Sequence, residues 1–96
     1  MYLTHVRHRV KDYATWRKAF DHNANMLFQK YNSLSTLIVQ VNGDPTDIVI
    51  INTWPSKKHW EDFIAAHKFQ SKDNMVKARE KGGVIGEPEW FGGEVI

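Results

Sequence analysis

The alternation of apolar and polar positions along the chain predicts four strands and two long helices. The clearest strand is Asp47–Trp54, a β-branched run in which Ile48 and Ile50 occupy one face and Val49 and Ile51 the other. Because successive side chains of a strand point to opposite faces, a run that is apolar at both parities needs apolar cover on both sides. The run therefore predicts a central strand, and the chain's own helices can cover only one of its faces.

Three further strands and a hairpin turn follow from the same pattern. Tyr2–Val10 is predicted to form the first strand and Leu34–Val41 the second. Asn42–Pro45 is a turn cluster that joins the second strand to the central one as a hairpin. Val84–Pro88 is predicted to be a loop, and Glu89–Ile96 a final strand interrupted by a pair of glycines.

In two stretches of the chain the apolar residues recur at the period of an α-helix. Asp12 is a suitable N-cap for a first helix over Tyr13–Tyr31, whose apolar positions fall in one narrow stripe. That stripe consists of Tyr13, Trp16, Phe20, Ala24, Leu27 and Tyr31. Pro55 ends the central strand, and Ser56 can cap a second helix. The stripe of the second helix consists of Trp60, Phe63, Ile64 and His67. A short third helical piece is predicted from Ser71 to the two glycines at 82 and 83.

The order strand, helix, strand, strand, helix, strand is that of the α+β ferredoxin-like fold, βαββαβ. Right-handed crossovers then give a four-stranded antiparallel sheet with both helices on one face and the first and third strands in the centre. The other face keeps apolar side chains that this chain cannot cover. Because an exposed apolar surface of that extent favours association, we expect a homodimer formed through the open sheet face.

Composition and charge narrow the class of protein. A hydrophobic fraction of 42% and a charged fraction of 25% are those of an ordinary globular domain, so residues 1–96 are expected to form one domain. The net charge is only +2 and the basic residues do not form a block, so the sequence does not predict nucleic-acid binding. The chain has no cysteine, which excludes disulfides and thiolate sites. No leader or run of about 20 apolar residues is evident, so no membrane contact and a soluble, cytoplasmic chain are expected.

Three segments carry a resemblance to a known family. They are Asp12–Asp21, Trp54 leading into His59–Phe63, and Gly83–Glu89. Together they resemble the small dimeric α/β-barrel proteins, in the cyclase-like and uncharacterised branch near the antibiotic biosynthesis monooxygenase (ABM) domain. The resemblance spans nearly the whole chain, but the matching residues are mainly at packing positions.

The resemblance implies two sheets packed face to face in a homodimer, with a pocket for a small apolar or aromatic molecule between the sheet and the helices of each subunit. Similar proteins include oxygenases that need no cofactor, haem-degrading enzymes and isomerases. The haem-degrading enzymes use an Asn on the first strand and a His just beyond the second helix. This chain has no Asn on that strand and Ser71–Asn74 after the helix, so neither haem nor another cofactor is expected.

The first strand is unusually polar for a central strand. His5, Arg7 and Arg9 share one face, and His8 lies on the other. Such groups are costly to bury without a partner. One interpretation is that Arg7 and Arg9 pair with carboxylates across the dimer. The other is that His8, or His5 with Arg7, lines a pocket and stabilises an anionic ligand. A metal site is not predicted, because His5 and His8 point to opposite faces.

Other candidate residues have equally open interpretations. His67 can satisfy carbonyls at the end of its helix or act as an acid or base in the pocket. Asn52 needs a hydrogen-bond partner, either a dimer contact or a ligand. Aromatic residues can stack on a flat ligand or form ordinary core. The aromatic candidates are Trp16, Phe20, Trp54, Trp60, Phe63 and Trp90.

Two functions from different classes are compatible with these observations. One is a cofactor-free enzyme of the monooxygenase-like or isomerase/cyclase-like type, in which His8 and His67 stabilise developing charge and Asn52 orients the substrate. The other is a dimer that binds a small molecule or regulates without catalysis. A polar cavity would favour the enzyme, whereas a pocket filled by aromatic side chains would favour the binding protein.

Overall fold

The four strands form one antiparallel sheet, which a computed structural model describes for residues 1–69 and 84–96. The helices and strands are β1 (Tyr2–Val10), α1 (Tyr13–Ala19), α2 (Asn25–Lys30), β2 (Ser35–Gln40), β3 (Asp47–Trp54), α3 (Lys57–Phe69) and β4 (Val84–Glu94). The strand order is β2-β3-β1-β4, so β1 and β3 are central as predicted. The fold is α+β and ferredoxin-like. The third helical piece predicted from Ser71 lies outside the described residues.

The register divides the central strands into two chemically different faces. In β1 the even positions face the helices, where Val6 and Val10 are buried and His8 is partly buried. Val6 pairs with Ile50 of β3, and His8 pairs with Ile48. We call this side the helix face. The opposite side, the open face, consists of Leu3, His5, Arg7, Arg9, Leu37, Val39, Val49, Ile51 and Phe91. Large apolar side chains remain accessible there, since Leu37 is 60% exposed and Phe91 59% exposed.

The first predicted helix is continuous but changes its hydrogen-bonding pattern in the middle. Asp12 caps it as predicted, since Thr15 N donates to Asp12 Oδ2 at 2.9 Å. Between α1 and α2 lies a π-helical turn, Phe20–Ala24, in which the N–H of Asn25 bonds to the carbonyl of Phe20. This wider turn adds a residue and shifts the later positions around the helix axis. Phe28, which the regular period left off the stripe, is therefore buried at 3% exposure.

The last strand begins earlier than predicted. Residues 84–88, predicted as a loop, belong to β4, which ends at Glu94 rather than Ile96. Ile85 pairs with Arg9 and Glu89 with Arg7, and the register shifts between these two pairs. Pro88 lacks an N–H to donate, but a proline is tolerated in an edge strand or at a bulge. The loop prediction for these residues was wrong, because β4 is an edge strand with a register shift and can include the proline.

The hairpin between β2 and β3 forms where it was predicted. A short 3₁₀ turn, Val41–Gly43, closes it, with positive φ angles of 52° at Asn42 and 75° at Gly43. Asparagine and glycine are the residues that adopt this left-handed conformation most readily. The turn fixes the register in which Leu37 and Val39 lie beside Ile51 and Val49 on the open face.

The shifted helix phase predicts different costs for two substitutions in α2. Phe28→Ala is expected to lower the free energy of unfolding by about 3–5 kcal/mol, because it deletes a buried aromatic ring. Met26→Ala is the matched control, since Met26 is 62% exposed, and it is expected to change stability by less than about 0.5 kcal/mol. Urea unfolding followed by circular dichroism measures both. Equal losses at the two positions would contradict the assigned helix phase.

Candidate functional site

The predicted site residues fall on both sides of the sheet. His8 and Asn52 lie on the helix face, paired in register with Ile48 and Thr4. His5 and Arg7 lie on the open face, beside Ile51 and Val49. One pocket between the sheet and the helices of a subunit can therefore include the first pair but not the second.

Most of the predicted ligand-binding aromatic residues form a packed layer over the helix face. Trp16, Phe20 and Phe63 are at most 5% exposed, and Trp54 is 0% exposed. Their rings contact one another and Phe28, with centroid separations of 5.1 Å for Trp16–Phe20, 4.8 Å for Phe28–Phe63 and 5.4 Å for Trp54–Phe63. These contacts give them the core role that the sequence offered as an alternative, and their ligand role remains a prediction.

His8 lies at one end of this layer. Its ring is partly buried and meets the ring of Trp16 edge-on at 5.4 Å, close to where α1 begins. The side chain of His67 lies outside the part of the structure that is described, so the pairing of the two histidines remains a prediction. His8 is thus the one predicted acid–base residue whose place on the helix face the structure shows.

Asn52 is held by hydroxyl groups of its own chain. It is 2% exposed, and its Oδ1 accepts hydrogen bonds from Thr36 Oγ1 at 2.6 Å and Ser33 Oγ at 2.9 Å. The expected partner for this amide was a dimer contact or a ligand, and for Oδ1 that expectation was wrong. Sequence alone did not show the partner, because Thr36 becomes a neighbour only through the register of β2 and β3.

Tyr2 and Trp60 form the other end of the layer, next to β4. Their ring centroids are 5.6 Å apart, and Tyr2 is 7% exposed. Trp60 Nε1 is buried and has no acceptor among the described residues. Gly92 lies beneath the tyrosine ring, since a Cβ built on it would lie 2.6 Å from Tyr2 Oη. Trp90, the next residue on the same side of β4, is 42% exposed.

The sequence analysis did not select Tyr2 as a site residue. Strand alternation placed it on the same face as His8, but it gave no reason to single out its hydroxyl group. The informative signal is Gly92, which faces Thr4 beside Tyr2 only when β4 is aligned with β1.

Arg7 and Arg9 make their ion pairs within the chain. Arg7 Nε and Nη2 donate to the two carboxylate oxygens of Asp47 at 3.0 and 2.6 Å, and Arg9 lies 4.0 Å from Asp44. Both arginines thus have a carboxylate partner in their own chain, and the interpretation that they pair with carboxylates across the dimer remains a prediction. The guanidinium of Arg7 holds the pKa of Asp47 below its ordinary value, and the carboxylate raises the pKa of Arg7.

His5 lies in the middle of the open face. Its ring stacks on Phe91 with centroids 5.0 Å apart, and its Nδ1 is buried without a hydrogen-bond partner among the residues described. The flanking strands place Ile51 on one side and Phe91 on the other. His5 and Arg7 therefore belong to the open face and not to the helix-face layer.

Known structures provide the family context for this geometry. No protein-family model and no curated protein sequence matches the chain. In contrast, a protein from Nitrosomonas europaea described as a candidate antibiotic biosynthesis monooxygenase superimposes with a TM-score of 0.70 at 20% identity, over 100% of this chain and 99% of that one. The chain has the fold of the antibiotic biosynthesis monooxygenases.

Two further structures with the monooxygenase fold extend the comparison. A cofactor-independent oxygenase from Streptomyces nogalater, SnoaB, matches with a TM-score of 0.65 at 15% identity, over 94% of this chain and 90% of its own. A dimeric ferredoxin-like protein from an uncultured marine organism matches with a TM-score of 0.71 at 13% identity, over 99% and 87%. At these identities the likeness is one of fold. In the described part of the chain, no helix has the length and apolar character needed to span a bilayer.

The ion pair between Arg7 and Asp47 predicts how stability depends on pH. Because the pKa of Asp47 is lowered on folding, the pair contributes fully above the ordinary carboxyl pKa of about 4 and is lost as the pH falls through the lower folded value. The free energy of unfolding is therefore expected to fall less between pH 5 and pH 2 in Asp47→Asn than in the wild type. Urea titrations at several pH values measure the difference.

The control for this experiment is Asp62→Asn, which removes an exposed carboxylate of α3. That variant is expected to keep the wild-type pH dependence. If Asp47→Asn showed the same acid sensitivity as the wild type, the assigned ion pair would not contribute to stability.

Proposed function

We propose that the protein is a homodimer that binds a small aromatic or enolisable molecule between its sheet and helices and oxidises it without a cofactor. The monooxygenase fold over the full chain supports this most directly, and one protein that shares the fold is a cofactor-independent oxygenase. His8 supplies a titratable group at one end of the helix-face layer. An isomerase or cyclase that passes through the same enolate is the related reaction. A cytoplasmic location remains a prediction from the sequence.

The proposed chemistry begins with loss of a proton from an acidic C–H or O–H group of the substrate. His8 and His67 would accept this proton or stabilise the resulting anion, as preorganised groups do at sites where charge develops. The anion transfers one electron to O₂, and the resulting substrate radical and superoxide combine to a peroxide anion. This anion takes back the proton removed in the first step and becomes a hydroperoxide. Loss of water from the hydroperoxide gives the ketone, so that one oxygen atom enters the product and the other leaves as water.

Asn52 has a defined orientation for its proposed role. Two hydroxyls occupy Oδ1, at 2.6 and 2.9 Å, and this arrangement leaves the Nδ2 amino group as the donor available to a ligand. A donor held in this way can orient a substrate oxygen without reorganising during the reaction.

The alternative is a binding protein without catalysis. Dense aromatic packing favours it, because Trp54 is 0% exposed and Phe63 2% exposed, so these rings fill the layer between helices and sheet. A regulatory dimer that closes over a small apolar ligand would need only such a layer. The two functions differ in whether oxygen is consumed when the ligand binds.

The open face supports the homodimer. Leu37 and Phe91 are about three-fifths exposed on this face, and Val39 is 39% exposed. Charged groups are confined to one end of this face, where Arg7 is already paired with Asp47. A second copy presenting the same face can cover these apolar side chains while Arg7 keeps Asp47 as its ion-pair partner. One solved protein with this fold is itself described as dimeric.

The dimer proposal predicts that charge on the open face separates the subunits. Leu37→Glu is expected to sediment at the chain mass of 11.2 kDa at low micromolar concentration, and the wild type at twice that mass. Met26→Glu, at a similarly exposed site on α2, is expected to remain dimeric. A dimer that persists in Leu37→Glu, or a monomeric wild type, would contradict the proposed interface.

The enzyme proposal predicts oxygen uptake with a phenolic probe. With dithranol, a hydroxylated anthrone, uptake above the uncatalysed rate is expected, and His8→Ala should reduce it by about 100-fold because a group that handles the proton or charge is lost. His22→Ala is the control, since His22 is exposed. An oxygen electrode measures the rates. Binding without uptake favours the non-catalytic alternative, and undiminished turnover in His8→Ala would refute its role.

A further inference from the structure

The indole N–H of Trp60 is a buried donor that folding leaves without a partner. Trp60 Nε1 has no acceptor among the described residues, although its ring is packed against the core. Buried polar groups are nearly always hydrogen-bonded, and leaving one unpaired costs about 1–3 kcal/mol. The same layer shows a satisfied tryptophan for comparison, because Trp54 Nε1 donates to Thr4 Oγ1 at 3.0 Å.

Dimerisation through the open face does not supply the missing acceptor. Trp60 packs on Tyr2, whose side chain is on the helix face of β1, opposite His5 and Arg7. A second copy that covers the open face is separated from Trp60 by the sheet itself. An acceptor for Trp60 must therefore enter between α3 and the sheet.

The phenol of Tyr2 lies beside this donor. The two ring centroids are 5.6 Å apart, close enough for one small molecule to contact both rings. Gly92 makes this position possible, because a side chain there would meet Tyr2 Oη at 2.6 Å and two ring carbons at 3.0 Å. A strand glycine without a strained φ angle has its role in this close approach.

This end of the layer borders solvent. Trp60 is only partly buried, and Trp90 on the adjoining strand is 42% exposed. The adjoining charged group is Glu94, whose side chain is 61% exposed and lies 3.9 Å from the N-terminal ammonium group. This solvent-facing edge is the side from which a ligand would approach the Tyr2–Trp60 pair in the proposal below.

We propose that Tyr2 Oη and Trp60 Nε1 together bind one acceptor oxygen of the ligand. An indole N–H can only donate, so the ligand atom must be an acceptor such as a ketone, enolate or phenolate oxygen. The assignment rests on the proposed function, because it names the group that recognises the oxygen of the small-molecule ligand. Tyr2 and Trp60 are binding and positioning residues in this proposal.

Indole N–H resonances test the proposal directly. The chain has four tryptophans, so a ¹⁵N-labelled sample gives four indole signals, and Trp60→Phe identifies that of Trp60. The probe is α-tetralone, which has one carbonyl acceptor and no donor, and tetralin is the matched probe without the carbonyl. α-Tetralone is expected to move the Trp60 signal downfield and to leave the hydrogen-bonded Trp54 signal nearly in place.

Three variants separate the hydroxyl group from general packing. Tyr2→Phe is expected to weaken α-tetralone binding about five- to tenfold, since one hydrogen bond is lost, and to leave tetralin binding unchanged. Gly92→Ala is expected to have the same effect by displacing the phenol. Gly93→Ala is the matched control, because a Cβ there meets nothing within 4 Å, and it should bind like the wild type. Thermal unfolding confirms that each variant is folded.

The outcomes distinguish this inference from the proposed function. If α-tetralone binds but the Trp60 signal does not move, or Tyr2→Phe binds as tightly as the wild type, the donor pair is refuted while ligand binding stands. If, at saturating probe, the Trp60 signal shows contact with water and none with the probe, the donor pair is also refuted. If neither α-tetralone nor dithranol binds at millimolar concentration, the inference and the small-molecule function both fail.

Discussion

The two-sided burial demanded by β3 is the constraint on which the structure depends. Ile48 and Ile50 are buried beneath the helices, and Val49 and Ile51 face the other way on the same strand. In the described residues, the helices α1, α2 and α3 all lie on the same face of the sheet. The open face therefore follows directly from a strand whose odd and even positions are both apolar, and so does the expectation of a second subunit.

This constraint also sorts the polar residues of β1. β1 pairs with β3, so its side chains alternate between the same two faces, and each charged or titratable residue of β1 lies on one of them. His8 lies on the helix face and contacts Trp16, while His5 and Arg7 lie on the open face. Arg7 is neutralised locally by Asp47, so the open face can be covered without a partner charge. One strand thus contributes both to the proposed site and to the proposed interface.

The fold was predictable from sequence because it depends on alternation and on strong capping signals such as Asp12. The errors occur where a local hydrogen-bonding change or a tertiary register decides the outcome. The π-helical turn placed Phe28 in the core, and the bulged edge strand β4 includes Pro88. The candidate site was less predictable, because the partners of Asn52 and the glycine beneath Tyr2 become neighbours only when strands are aligned.

The hydrogen bonds of the helix-face layer indicate where binding chemistry is to be sought. Trp54 donates to Thr4, and Asn52 Oδ1 receives two hydroxyls, so folding alone accounts for these polar atoms. Trp60 Nε1 is different, because it is buried and no described residue accepts a hydrogen bond from it. A donor that contributes nothing to folding and costs stability is best explained by a ligand oxygen. The end of the layer nearest β4 is therefore a stronger candidate for substrate recognition than Asn52, whose Oδ1 already accepts two hydrogen bonds within the chain.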